Sequence, residues 1–175
     1  MKHQERALER RQRSIARVVL ALLLLAMAVG QLADFPGFVD VLRDYDTGAA
    51  SVAWIAAIGL VAGEVTGAAL LLSGRTSVRR SGAVVALAVA VTWSALALFA
   101  FARGIAIDNC GCFGVYLAQP LRWWVLLEDV EFVALGAWVL ITERTFAALG
   151  SARPRTGLRT TNTEGASGVR TPQAP

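Results

Sequence analysis

The sequence predicts an all-α integral membrane protein, a bundle of four transmembrane helices with both termini in the cytoplasm (N-in/C-in). Three observations predict it. The composition is too apolar for a soluble domain: 55% of the 175 residues are hydrophobic, only 17% are charged, and the mean hydropathy is +0.54, whereas soluble domains carry charge on about a quarter of their residues. The apolar residues are gathered in four stretches, each near the roughly 20 residues a helix needs to cross the hydrocarbon core. Finally, the basic residues cluster in alternate intervening segments. Of the 17 Lys and Arg, all but Arg43, Arg103 and Arg122 lie in the N-terminal arm, in the second loop or in the C-terminal tail. Positively charged flanks stay in the cytoplasm, so the other two loops face outward.

The elements follow in order. Residues 1–17 form a basic cytosolic arm, with Lys2, Arg6, Arg10, Arg11, Arg13 and Arg17 against Glu5 and Glu9. The first span is expected at about 18–33, with Arg17 snorkelling to the interface. Ala26-Met27-Ala28 imitates a signal-peptide cleavage site, but the further spans make a retained helix the simpler reading. An acidic outer loop follows, then a second span at about 51–72 that contains Glu64. Arg75, Arg79 and Arg80 fill the inner turn. The third span, about 82–102, has no charged residue. An outer segment then carries Asp108-Asn109-Cys110-Gly111-Cys112-Phe113-Gly114. The fourth span, about 123–142, starts after Pro120 with Trp123 and Trp124 at the interface and holds Glu128, Asp129 and Glu131 in its first half. Residues 143–175 form a basic tail whose Gly, Ser, Thr and Pro cannot bury enough surface to order it. The 18–142 region is thus one membrane domain in contact with the lipid bilayer.

The net charge of +4 and the pI near 9.8 do not indicate nucleic acid. A nucleic-acid face gathers its basic residues into one patch, and here they are dispersed between spans as orientation signals.

Cys110 and Cys112 are the candidate catalytic residues. In an oxidising compartment, neighbouring cysteines are normally paired or redox-active. Residues i and i+2 can reach disulfide distance in a tight turn, and Gly111 opens the necessary backbone angles. So small a ring is strained, and strained, exposed disulfides serve exchange better than scaffolding. The alternatives are a silent or structural pair of thiols, and a metal site. Metal is disfavoured because soft-metal sites want more ligands, and the outer side offers no His, Met or third Cys. Arg103, Asp108 and Asp129 are supporting candidates: Arg103 favours a thiolate and Asp108 opposes it, so the nucleophile of the pair stays open.

Glu64 is a carboxylate inside a span, a costly placement that marks a functional site by default. It is expected roughly 20 Å below the outer end of its helix, past the midplane and far from the cysteines, which argues against direct proton transfer between them. The structural alternative is a packing anchor bonded to Thr92, Ser94 or a backbone carbonyl. Gly59, Gly63 and Gly67 repeat at four-residue spacing and let another helix approach closely. Glu128 and Glu131 share a face by their i, i+3 spacing while Asp129 points elsewhere; pairing with Arg103 or Arg122 in a solvated upper helix is favoured over proton handling.

The Cys110-Gly111-Cys112-Phe113-Gly114 run at the exit of the third span resembles the Cys-x-Cys-Phe-Gly signature of the methylamine utilization protein MauE family, a relative of the DoxX-like membrane proteins. The second span, with Gly59, Gly63, Glu64 and Gly67 leading to Leu70, Leu71 and Leu72, is similar to their helix with one buried Glu, and Phe38 to Tyr45 is similar to their first outer loop. The resemblance covers about residues 18–142. It implies a DoxX-like four-helix bundle tied to extracytoplasmic thiol chemistry, with Cys110 and Cys112 as the redox pair and Glu64 as the buried carboxylate. It also implies a thioredoxin-like partner and a disulfide-rich client, which in the type family is the small subunit of methylamine dehydrogenase.

The function expected is thus a membrane thiol–disulfide oxidoreductase component. No cofactor is evident: two cysteines give no second pair to relay electrons, so either a second protein or a quinone in the bundle completes the cycle, but no residue identifies a quinone site. A homo-oligomer is compatible with the sequence, which does not say how many chains assemble. Two rival classes stay open, a non-redox assembly scaffold and a small-solute transporter using Glu64.

Overall fold

The computed structural model describes residues 2–46 and 48–151; the tail expected from 143 onward lies outside them beyond Ser151. The chain is all-α, with five helices: α1 (Lys2–Ala33), α2 (Phe35–Arg43), α3 (Ala50–Leu72), α4 (Thr76–Ala102) and α5 (Trp123–Ser151). Among the described residues, three segments are long and apolar enough to cross a membrane: Ala7–Ala33, Ala50–Leu72 and Thr76–Ala102. α5 matches them in length but carries Glu128, Asp129 and Glu131 in its first turns. The helix of the first span begins at Lys2, so the basic arm continues the span as one helix.

Contacts along the helices run in opposite directions. Leu24 meets Gly67 and Gln31 meets Glu64 between α1 and α3; Gly63 lies against Val89, and Leu71 against Gly82, between α3 and α4; Arg79 meets Glu143, and Leu87 meets Gly136, between α4 and α5. The four long helices therefore alternate up and down. α4 packs extensively on both α3 and α5, whereas α1 and α5 share a thinner seam.

The packing is that of a protein built for lipid. The buried faces of α3 and α4 are largely alanine (Ala53, Ala57, Ala68, Ala83, Ala86, Ala90 and Ala97), while Ile55, Ile58, Val65, Leu98 and Ile141 point outward. Small residues bring backbones together where apolar burial alone supplies no drive between helices, and branched residues are left for the acyl chains. Thr92 and Ser94 donate to the carbonyls of Ala88 and Ala90 one turn back, which satisfies their hydroxyls without water. They are thus not the partners of Glu64.

Of the glycines on α3, Gly63 and Gly67 make the close approach. A Cβ on Gly63 would press on Val89, and one on Gly67 on Leu24 and Val85, whereas Gly59 faces open space. The small-residue contact is completed by Gly82, where a Cβ would meet the backbone of Leu70 and Leu71.

The outer end departs from the expected plan. α1 stops at Ala33, level with Glu64, although about 21 Å of α3 runs on from there to Ala50 at ~1.5 Å per residue. The notch above α1 is filled by two pieces of non-spanning chain. One is α2, which begins where Asp34 caps the helix by accepting from the Gly37 amide at 3.0 Å with Pro36 in its first turn, a pre-organised start. It buries Phe38, Val39, Val41 and Leu42, so the first outer loop is a packed helix. The other piece is the 103–122 segment, which turns back into the bundle instead of crossing its top.

Candidate functional site: a Cys-Gly-Cys loop seated on a buried Glu–Gln–Trp cluster

The seat is made where α1, α3 and α4 meet. Glu64 is fully buried. Its Oε1 accepts from Gln31 Nε2 at 3.0 Å and from Trp93 Nε1 at 3.1 Å. The same Gln31 amide nitrogen donates to the carbonyl of Cys112 at 3.1 Å. One amide group thus spends both protons, one on the carboxylate and one on the loop, which fixes its orientation. Glu64 Oε2 and Gln31 Oε1 are buried without a hydrogen-bond partner.

This corrects the expected remoteness of Glu64 from the cysteines. The residue does lie deep along α3, but the loop descends to meet it because α1 ends early and leaves the space. Gln31 was not singled out from the sequence, although a glutamine in the last turn of an apolar span is itself a signal of an internal partner.

The loop is held by its backbone. Cys110 N–H donates to the Gln119 carbonyl at 2.8 Å, and Tyr45 Oη donates to the Cys110 carbonyl at 2.8 Å. The Asn109 side chain closes the turn from within, accepting from Gly111 N–H at 3.0 Å and donating to the Gly114 carbonyl at 3.1 Å. Gly114 N–H returns to the Gly111 carbonyl at 2.9 Å. Gly111 and Gly114 both have positive φ, 81° and 76°, which other residues rarely adopt. Gly114 also lies against Gly30 of α1 so closely that a Cβ on either would overlap the other segment's backbone. The Phe-Gly of the motif is therefore the part that docks on α1. Gly111 packs against Phe38, Val41 and Trp93, which ties the turn to α2.

Cys110 is buried and Cys112 is partly exposed; both are free thiols, not joined to each other. They stand in unequal environments. The Cys112 thiol, acting as hydrogen-bond donor to Cys110, holds Cys110 below the usual thiol range despite burial. Its role as that donor, together with burial, pushes Cys112 well above. The acids that bear on the pair come from the helices: Asp129 opposes ionisation of both thiols, Glu128 that of Cys110, and Glu64 that of Cys112. Burial likewise pushes the Tyr45 hydroxyl above its ordinary range, so it serves as a donor.

Both cysteines line a cavity of about 290 Å³ in the thin α1–α5 seam. Its walls are apolar below, with Leu23, Met27, Phe132 and Leu135, and acidic on the α5 side, with Glu128, Asp129 and Glu131. Asp129 is buried with Oδ2 unpartnered, while Glu128 is exposed and accepts from Gln119 at 3.0 Å. None of these acids forms an ion pair with Arg103 or Arg122 among the described residues. Arg103 instead lies over the Phe99 ring, 5.3 Å from its centroid, and Asp108 is exposed. Gly63 and Gly67 belong to the helix packing around the seat, Gly59 faces open space, and none of the three lines the cavity.

No curated protein and no solved structure matches the chain. A family model does, the one described as methylamine utilisation protein MauE, over residues 12–142. The match takes in the whole seat, from Gln31 through the Cys-Gly-Cys loop to the acids of α5, and covers well over half of the sequence. The chain belongs to the MauE family of methylamine utilisation proteins.

Proposed function

We propose that this protein is a thiol–disulfide exchange component of the cell membrane, with four spans, both termini in the cytoplasm and the Cys-Gly-Cys loop facing outward. The observation that carries the reading is the thiol pair itself: two free thiols two residues apart, one of them partly exposed, on a loop clamped by its backbone and lining a cavity. A static clip needs no pair of free thiols lining a cavity, and a redox couple does. The up-and-down packing of α5 and the charge-free stretch from Phe132 to Thr142 support it as the fourth span. The distribution of basic residues supports the orientation.

The exchange step uses the pair in order. One cysteine of the pair, as the thiolate, attacks one sulfur of a partner disulfide, forming a mixed disulfide; the displaced partner sulfur leaves as a thiolate and takes a proton from solvent. The other cysteine, giving up its proton, attacks the bonded Sγ of the first, closes the internal disulfide and releases the partner fully reduced. Two electrons pass from the pair to the partner, and the reverse sequence oxidises the partner. With two cysteines in the chain, the cycle is completed by a second extracytoplasmic redox protein. Family membership supports a thioredoxin-like partner and a client rich in disulfides, such as the small subunit of methylamine dehydrogenase. In the reverse direction, where the partner's electrons end on the dithiol, the apolar wall of the cavity also favours a quinone as the two-electron, two-proton acceptor, tested by quinone-dependent reoxidation of purified protein.

Trapping separates this from a scaffold. The single variant that keeps the attacking thiol, Cys110→Ser or Cys112→Ser, is expected to accumulate a mixed disulfide with the partner, and the double variant none. Full maturation of the client in cells carrying both substitutions would sink the proposal and leave a scaffold. Solute movement abolished by Glu64→Gln but indifferent to the cysteines would point to a transporter instead.

A further inference from the structure

The opposite end of the bundle carries a second polar site. Arg10, Arg13, Ser14 and Arg17 lie on one face of α1 by their i, i+3, i+4, i+7 spacing. They face Thr76 and Arg79 of α4 and Thr142 and Glu143 of α5 across a cleft of about 360 Å³. The charges do not balance. Arg17 and Arg79 share the single carboxylate of Glu143 at 3.7 and 3.5 Å, Arg10 adds a further exposed guanidinium, and Arg13 pairs outward with Glu9 at 3.6 Å. Arg17 Nε is buried without a hydrogen-bonded acceptor, and Arg79 Nε has only the long ion-pair contact to Glu143. Arg79 also donates to Thr76 Oγ1 at 3.1 Å, which leaves the hydroxyl proton of Thr76 available. A cluster of forked donors with too few acceptors is suited to the oxygens of a phosphate.

The position identifies which phosphate. Arg17 directly precedes the apolar run from Val18, and Arg79 stands one turn before the apolar stretch of α4, so the cleft lies at the polar–apolar boundary where headgroups sit. Exposed Val18 follows Arg17 along α1, and exposed Trp138 and Ile141 precede Glu143 along α5, on the hydrocarbon side of that boundary. A free phosphate gains nothing from those side chains, whereas the acyl chains of a phospholipid do. We propose that this cleft binds the phosphate headgroup of an anionic glycerophospholipid, clamped between α1, α4 and α5 at the end remote from the cysteines. Binding there ties the thin α1–α5 seam, which also holds the thiol cavity, at its far end.

The test uses the full-length chain in detergent micelles doped with phosphatidylglycerol or phosphatidylcholine, with inorganic phosphate as a third arm, read by thermal unfolding and by lipid retained in native mass spectrometry. Phosphatidylglycerol is expected to be retained and to raise the unfolding temperature, with no matching effect from phosphatidylcholine or phosphate. Arg10→Gln, at the exposed rim, should weaken retention about tenfold, the effect of a lost charge-assisted hydrogen bond, without lowering the stability of lipid-free protein. Glu143→Gln, measured on the folded fraction, should strengthen retention by releasing two guanidiniums, a gain that a merely structural ion pair would not produce. Equal stabilisation by phosphatidylcholine, full reproduction of the shift by inorganic phosphate, or unchanged phosphatidylglycerol retention in an Arg10→Gln/Arg79→Gln variant would each overturn the proposal.

Discussion

At the residue scale, the two thiols differ because one donates a hydrogen bond to the other inside an acidic surround. Cys110 is held down by the Cys112 thiol and pushed up by Asp129 and Glu128. The signs follow from which form each neighbour favours: a donor favours the thiolate, and a negative charge opposes it. Replacing Cys112 by Ala is therefore expected to move the midpoint of Cys110 alkylation to higher pH, and Asp129→Asn to move it lower, both read from alkylation rate against pH in purified protein. A shift of the same sign in the two variants would contradict this account. Glu64 acts through its acceptor oxygen. Glu64→Gln keeps an oxygen for the Gln31 and Trp93 donors and should cost less than about 1 kcal/mol. Glu64→Ala orphans two buried donors and opens a cavity, costing about 3–5 kcal/mol. Thermal unfolding of the two variants side by side distinguishes them.

At the scale of elements, the seat depends on how closely segments approach. Gly114 of the loop and Gly30 of α1 touch backbone to backbone, and Gly114 has positive φ as well. Gly114→Ala is expected to unseat the loop, losing more than about 2 kcal/mol through strain and overlap and speeding Cys110 alkylation relative to the unsubstituted chain. Gly59 lies on a helix with open space around it, so Gly59→Ala should be neutral or stabilising by up to about 1 kcal/mol. The contrast, followed by thermal unfolding and thiol labelling, tests the structure at two glycines that no helical periodicity separates. The Gly59–Gly63–Gly67 repeat was visible in the sequence as a packing face, yet which of its members is in contact depends on where α4 crosses.

At the scale of the whole molecule, the arrangement puts a thiol site and an arginine cleft at opposite ends of one bundle, joined by the α1–α5 seam. The topology proposed for it is open to direct measurement. In intact cells a membrane-impermeant thiol reagent should reach the cysteine loop after reduction. Ser77→Cys in a chain lacking both native cysteines should be labelled only after lysis, since Ser77 is exposed at the α3–α4 turn. Labelling of Ser77→Cys in intact cells would reverse the orientation and remove the extracytoplasmic partner with it.

Much of this was legible in the chain of residues alone. Apolar runs and the placement of arginines determined the helices and their membrane character, because length and transfer free energy act locally on each stretch. The Cys-Gly-Cys-Phe-Gly motif and the lone carboxylate of the second span marked the two residue groups that matter, and the resemblance they carried led to the family. Only tertiary structure decided that these groups form one site. Counting helical rise placed Glu64 correctly along α3 but assumed that the loops lie at the bundle ends. The early stop of α1 at Ala33, the packing of α2 above it and the descent of the cysteine loop into the remaining space are set by non-local contacts: Gly30 with Gly114, Gln31 with Cys112 and Glu64, Tyr45 with Cys110. A local pattern cannot encode a cavity left by one helix and filled by a loop some 80 residues later, because the energy that selects it belongs to the contact and to neither segment alone.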